Sequence, residues 1–394
     1  RDTDLENIRG MPQFRALMND KDVLMHKAAE GTLERLKAQF PPEKGYIHKL
    51  DEENKFIFAT NQSADVLKML TDRIVNYAKA QFRDILPSKP DYYIMIVLPT
   101  QEDFNKLRPQ PNIGGWYNPG QRMLISGNIG FVLTHEFTHA LHFADLDKRI
   151  KNMGAHKIWF LEGMATLFED SKLPEKDGDK AIPVHNGRLR QVQAAVAADK
   201  SFAWADYMTW EQPQFMLPQN VGLSYAQARY MTYWIYEQGK LREFYEEYSK
   251  SYRAGSEGAA GITALEKVIG KPLATMEAEW KTWVKGLAPV KAQSSAYLGL
   301  QFGRSGSSTG LGIDAVQEGS PADKAGIIKG DIIVQVDGRP IDSAANLAAA
   351  MAEFEPGDVV RIMVIRTEAD PDSGNQRQYP KMLAVRLTAK PGGK

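Results

Sequence analysis

The 394-residue chain contains no cysteine, which excludes disulfide bonds, a thiol nucleophile and thiolate metal sites. It carries no excess charge of either sign, since 49 basic residues balance 49 acidic ones. No global field therefore draws it to nucleic acid or to an anionic membrane surface. It has no apolar run long enough to span a bilayer, no long internal repeat and no low-complexity tract. What it does have is 43% hydrophobic residues, enough for real cores in two or three domains. The first residue is Arg1 rather than methionine, which leads us to expect a removed signal peptide, and with it an extracytoplasmic (periplasmic or secreted) location, or a trimmed chain.

Against that even background one stretch stands out, His135-Glu136-Phe137-Thr138-His139. It lies in a helix-compatible run and matches the HExxH pattern of zinc peptidases. Histidines four apart project from one helix face, so both imidazoles reach a single ion. Glu136 then sits beside the metal-activated water as general base. Catalytic zinc sites use three protein ligands and leave one position open, so a third ligand is required.

Downstream, residues 159–166 read Trp-Phe-Leu-Glu-Gly-Met-Ala-Thr. The run predicts a second amphipathic helix with Ile158, Leu161, Ala165 and Phe168 on one stripe. Glu162 among such neighbours is costly if charged and unpaired, and a metal is one way to compensate it. Here the chain resembles the gluzincin metallopeptidases of the thermolysin-like, peptidase-MA-like group, whose pattern is HExxH followed by a helix carrying Glu-Gly-x-Ala. This sequence has Glu162-Gly163-Met164-Ala165. The resemblance implies that His135, His139 and Glu162 bind Zn2+ and that Glu136 is the base. A glutamate on a solvated helix face is the competing reading.

Asp145 is a rival third ligand, placed where some metzincin-like sites carry theirs. Those sites need a glycine three residues after the second histidine, and this chain has His142 there. His142 itself reads as a supporting or interface histidine, because a fourth protein ligand closes the site. His26, His48, His156 and His185 lack metal-like spacing and read as surface or packing residues.

Gluzincins steady the oxyanion with a tyrosine or histidine from later in the chain. Residues 223–236 form a tyrosine-rich helical pattern, and Tyr225 at its opening resembles the placement of the catalytic tyrosine in related aminopeptidases. Catalysis and simple packing both remain open for Tyr225, whereas Tyr230, Tyr233 and Trp234 read as packing. Residues 114–125 read as two short extended pieces around Asn118-Pro119-Gly120. The resemblance implies an edge strand here that a peptide extends by backbone hydrogen bonds; a plain surface hairpin fits the same residues. No glutamate in this stretch is present to hold a free amino terminus, which favours endopeptidase action.

Around these motifs, residues 46–50 and 56–61 read as a hairpin, 65–86 as a helix and 92–98 as a buried strand. Helical patterns follow at 188–200, 241–252 and 274–286. Residues 1–45 read as a helical arm without an assignable role.

After residue 288 the helical pattern stops. The turns Tyr297-Leu298-Gly299-Leu300, Gly319-Ser320-Pro321-Ala322 and Gly330-Asp331-Ile332-Ile333 resemble a PDZ domain of the kind attached to bacterial proteases. A helix at 343–354 and strands at 361–366 and 382–387 complete the order, with a polar turn at 368–378. The resemblance implies that a peptide C-terminus adds as a strand beside Leu298, Gly299 and Leu300, with Leu347 and Met351 walling its side-chain pocket. A PDZ fold that only packs on its neighbour is the alternative.

The expectation is thus an α+β chain: an arm (1–45), a zincin-like catalytic domain with a small mixed sheet and a mainly helical lower half (46–288), a linker (289–296) and a mainly-β PDZ domain (297–392). Its expected activity is zinc-dependent cleavage of a peptide or protein substrate, with C-terminal tails as PDZ ligands. A catalytically silent zinc-binding adaptor acting through its PDZ domain is the alternative, against which Glu136 speaks, because structural zinc needs no base.

Overall fold

A computed structural model describes residues 11–13, 21–111, 113–150, 156–253, 259–291, 294–302, 310–369 and 376–391. Residues 1–10 and 14–20 of the expected arm lie outside these, as do 292–293 of the linker and 370–375 of the polar turn. No described helix is long and apolar enough to cross a membrane.

The first half alternates strands and helices. Helix α1 (Lys21–Gln39) leads into the hairpin β1 (Ile47–Asp51) and β2 (Phe56–Thr60). The Asp51 carboxylate accepts from the Asn54 amide at 3.0 Å, which tightens the turn between them. Helix α2 (Ala64–Asp84) is capped by Ser63, whose hydroxyl accepts from Val66 N. Strand β3 (Ile94–Leu98), a helix missed from sequence, α3 (Gln101–Leu107), and strands β4 (Gly115–Asn118) and β5 (Met123–Ser126) follow. The sheet order is β1-β2-β3-β5-β4, parallel through β2, β3 and β5, with antiparallel β1 and β4 at the edges. Both faces of β2 and β3 are covered, so every residue of these strands is buried. One cover is α1, whose Ala29 and Leu36 pack with Ile57, Val97 and Met123. The arm that the sequence left without a role therefore seals the far face of the sheet.

The other face carries the helical half: α4 (Phe131–Ile150), α5 (Ile158–Glu169), a small β6 (Ser171–Lys172) and β7 (Ile182–Pro183) pair, α6 (Arg188–Ala197), α7 (Val221–Glu237), α8 (Leu241–Arg253), the unexpected α9 (Ala260–Ile269), and α10 (Leu273–Gly286). The expected single stripe on α5 needs correction. Ile158 and Leu161 are only partly buried, while Trp159, Phe160, Met164 and Leu167 are wholly so. The helix is enclosed nearly all round because α4 and α7 flank it.

The last module has β8 (Ala296–Tyr297), β9 (Leu300–Phe302), β10 (Leu311–Val316), β11 (Ile332–Val336), β12 (Arg339–Pro340), α11 (Ala344–Met351), β13 (Val359–Ala369), β14 (Gln376–Arg386) and β15 (Thr388–Ala389). Its main sheet runs β14-β13-β11-β10-β9, with β12 beside β11, all antiparallel, which leaves β9 at an edge. This module is not tethered loosely. Its Val334 and Ile365 are fully buried in the same core as α4 and α5.

Gly163 explains the small residue after Glu162. A Cβ there would stand 2.2 Å from Thr232 Oγ1 and 2.9 Å from Ala228 O, both on α7. Gly163→Ala should therefore push α5 and α7 apart and cost about 1–3 kcal/mol of stability. Denaturant unfolding measures this; a variant as stable as the parent would show that the close approach is dispensable.

Candidate metal centre

The donor atoms of His135, His139 and Glu162 converge, the one such cluster of three among the described residues. The two imidazoles, one helical turn apart on α4, bring their Nε2 atoms to 3.2 Å. Glu162 Oε2, from α5, lies 3.4 Å from His135 Nε2 and 3.5 Å from His139 Nε2. Donor atoms about 2.0–2.1 Å from a tetrahedral ion are about 3.3 Å apart. The triangle thus matches three corners of such a shell. Two further facts fit a cation at its centre. Glu162 Oε2 is buried with no hydrogen-bond donor. The three side chains remain 12–15% exposed, which leaves access to a fourth position.

His135 is oriented from behind. Its Nδ1 is 2.8 Å from Glu169 Oε2, so it donates there and turns the Nε2 lone pair toward the cluster. Arg188, at the start of α6, donates to the other oxygen of Glu169 at 3.1 Å. Neither residue was found from sequence. Glu169 follows Glu162 by seven residues, two turns along one face of α5, and that spacing was the available signal. Arg188 had none.

Electrostatics sort the carboxylates. Burial works against a charge on His135, but Glu162 and Glu169 outweigh it and raise its pKa to about 10. For Glu162, burial favours the neutral acid, yet His139 and His135 hold it well below the usual carboxylate range. Burial raises the pKa of Glu136, against the pull of His135 and His139. Glu136 Oε2 accepts from Tyr117 N on edge strand β4 at 2.9 Å. The edge strand, Glu136 and the three converging donors therefore meet at one place.

The alternatives lie elsewhere. Asp145 is buried, accepting from the Tyr245 hydroxyl at 2.7 Å and from Ser88. His142 is buried with its Nε2 2.8 Å from His156 Nδ1, and burial lowers its pKa to about 3. His156 also stacks on Tyr248 at 4.3 Å. These groups brace the helices rather than join the cluster. His26 is exposed beside Glu52.

Tyr225 stands in the second turn of α7 rather than at its opening. Its hydroxyl donates to Met216 Sδ at 3.8 Å, and the Arg188 guanidinium lies 5.3 Å from its ring centre. Burial and then the Glu162 charge raise its pKa, which places the phenol within electrostatic reach of the cluster. Tyr230, Tyr233 and Trp234 are buried packing residues.

In the last module, Leu298, Leu347 and Met351 share one apolar cluster, with Leu300 packed against it. Gly299 has φ +87°, and a Cβ there would meet Ser320 at 2.2 Å. The loop and helix α11 thus meet in the module's core, where Leu298, Leu347 and Met351 are buried, and only glycine fits at that turn.

The chain is similar to known proteins in separate stretches. Residues 312–366 match the PDZ domain family, and the chain contains a PDZ domain. Residues 130–256, which hold the cluster, match a family described as "Protein of unknown function (DUF1570)". The magnetosome formation protease MamE of Magnetospirillum gryphiswaldense is 42% identical over 80 residues, 20% of this chain and 10% of the relative. The serine protease PepD of Mycobacterium tuberculosis is 33% identical over 119 residues, 30% of this chain and 25% of the relative. The chain therefore spans only a tenth to a quarter of these relatives. Among solved structures, an aminopeptidase N family protein from Idiomarina loihiensis is 12% identical with a TM-score of 0.35, covering 87% of this chain and 67% of its own. An HtrA-type protease, AlgW, solved with a decapeptide, scores 0.20 at 18% identity over 25% of this chain and 30% of its own. Scores this low do not establish a shared fold.

If Glu169 orients His135, Glu169→Gln should weaken zinc binding roughly ten- to hundredfold. Competition against a chromophoric chelator reads this directly. Parental affinity in the variant would remove Glu169 from the site.

Proposed function

We propose that this chain is a gluzincin-type zinc peptidase of zincin-like fold, acting as an endopeptidase outside the cytoplasm, whose PDZ domain engages the C-termini of peptide or protein substrates. The observation that carries this is the 3.2–3.5 Å triangle of His135, His139 and Glu162 donors, with Glu136 beside it. The protease names of the partial relatives agree in reaction but not in chemistry, since PepD is a serine protease.

A zinc ion held by these three side chains supplies a Lewis acid that acidifies water and polarises a carbonyl. The residues do the rest. Tyr117 N fixes one oxygen of Glu136 and leaves the other to take the proton of the attacking water. The raised pKa of Glu136 makes it a better base than a solvated carboxylate. The same bond shows that Tyr117 N points off the free edge of β4. A peptide added along that edge passes beside Glu136, its backbone held with little regard to its side chains. Tyr225, a phenol that is neutral at working pH and kept further from ionising by burial and the Glu162 charge, is the donor for the oxyanion.

The test is cleavage of casein and a peptide library by metal-analysed protein. One zinc per chain is expected, with activity lost on chelation and regained on zinc addition. Glu136→Gln should keep the zinc and lose about 10²–10⁴-fold in kcat. Tyr225→Phe should bind peptide normally and lose about 10²–10³-fold. Equal cleavage by Glu136→Gln would reject the base, and zinc binding without cleavage by the parent would favour the adaptor reading.

A further inference from the structure

Both helices that carry the candidate ligands are held at one end by the PDZ domain. Helix α4 has no acidic residue in its first turn, and its Phe131 N donates instead to Asp342 Oδ2 at 3.3 Å. Asp342 lies between β12 and α11. The approach is close enough that a Cβ on Gly130 would stand 2.4 Å from that carboxylate oxygen. One residue earlier, Ile129 O accepts from buried Arg73, which also donates to Gln335 of β11 at 3.0 Å. At the far end of α5, Asp170 follows Glu169 directly and pairs with Arg339 of β12 at 2.9 Å. Arg339 is 4% exposed and also holds Glu353 at 2.6 Å. Leu173 N then donates to Gly338 O at 2.9 Å.

The triangle of donors spans two separate helices, so its sides are set by how firmly those helices are fixed. A site loose by even about 0.5 Å loses its productive geometry. Segment 335–342 reaches both.

We propose that Asp342 and Arg339 are positioning residues of the metal centre, the first bracing the start of α4 and the second the end of α5. The proposal rests on the reading that His135, His139 and Glu162 form a catalytic zinc site. It makes the PDZ domain part of the machinery as well as a recruiter of tails. Burial raises the pKa of Asp342 to about 6, which still leaves an anion at neutral pH, the sign that complements a helix N-terminus.

The test uses the full chain with Asp342→Ala, Asp342→Asn, Gly130→Ala, Arg339→Met and Arg339→Lys. Three measurements are made: amide exchange in the first turn of α4, zinc affinity by chelator competition, and kcat against KM. Asp342→Ala and Gly130→Ala should exchange about fivefold faster there, the loss expected of a helix cap, and bind zinc about tenfold more weakly. Arg339→Lys, which keeps the cation, should retain most of the affinity that Arg339→Met loses, with kcat moving more than KM. Should Asp342→Ala not fold, Gly130→Ala and Asp342→Asn decide by the same readings. Folded variants with parental exchange and affinity would overturn the brace. A parent that binds no zinc, while Asp342→Ala still speeds exchange, would overturn the catalytic reading and leave the brace standing.

Discussion

Three lone pairs aimed at one point is the constraint on which this molecule is organised. The Nε2 atoms of His135 and His139 and the Oε2 of Glu162 stand 3.2–3.5 Å apart. Without a cation among them, such an arrangement is repulsive or must capture a proton. Holding it requires fixed imidazole orientations, a fixed helix spacing and compensation of buried charge. Each need has its own residue: Glu169 behind His135, Gly163 between α5 and α7, and Arg188 opposite Glu169.

The two carboxylates of the centre show how environment divides roles. Glu136 and Glu162 are both partly buried, which alone would raise both. Glu162 faces two imidazoles and is driven down, so it stays anionic. For Glu136 burial outweighs the pull of His135, His139 and the Tyr117 amide, so it keeps an upward shift and holds a proton more readily. Opposed shifts in neighbouring acids are a recurrent sign of divided acid–base labour.

What was legible in sequence was what local spacing encodes. His135 and His139 announce themselves by a four-residue interval, Glu162 by its apolar setting and its following glycine, and the PDZ turns by glycine and proline. The hairpin, the long helix α2 and the tyrosine-rich α7 also followed from periodicity. What was not legible depends on convergence of distant segments. The amphipathic stripe expected on α5 failed because two neighbours, not one, enclose that helix. Arg188 reaches Glu169 from 19 residues away, and Asp342 reaches Phe131 from 211. No periodicity links such pairs. Glu169 was the intermediate case, visible as a spacing but given meaning only by His135.

The shared core bears on what the proposed capture of tails would accomplish. In a tethered module, a linker sets the effective concentration of bound substrate at the active site, and that concentration falls as the linker lengthens. Here Val334 and Ile365 of the PDZ domain lie in the same buried cluster as α4 and α5, so the two modules form one body. Strands β9 and β4, which end their sheets among the described residues, are therefore held at one separation by packing rather than by chain statistics. Under the proposed function, a substrate that engaged both would have to span that interval with its own backbone. Selection would then fall, under that same function, on the length of unfolded chain between a C-terminus and the cleaved bond, with backbone pairing at β4 indifferent to side chains.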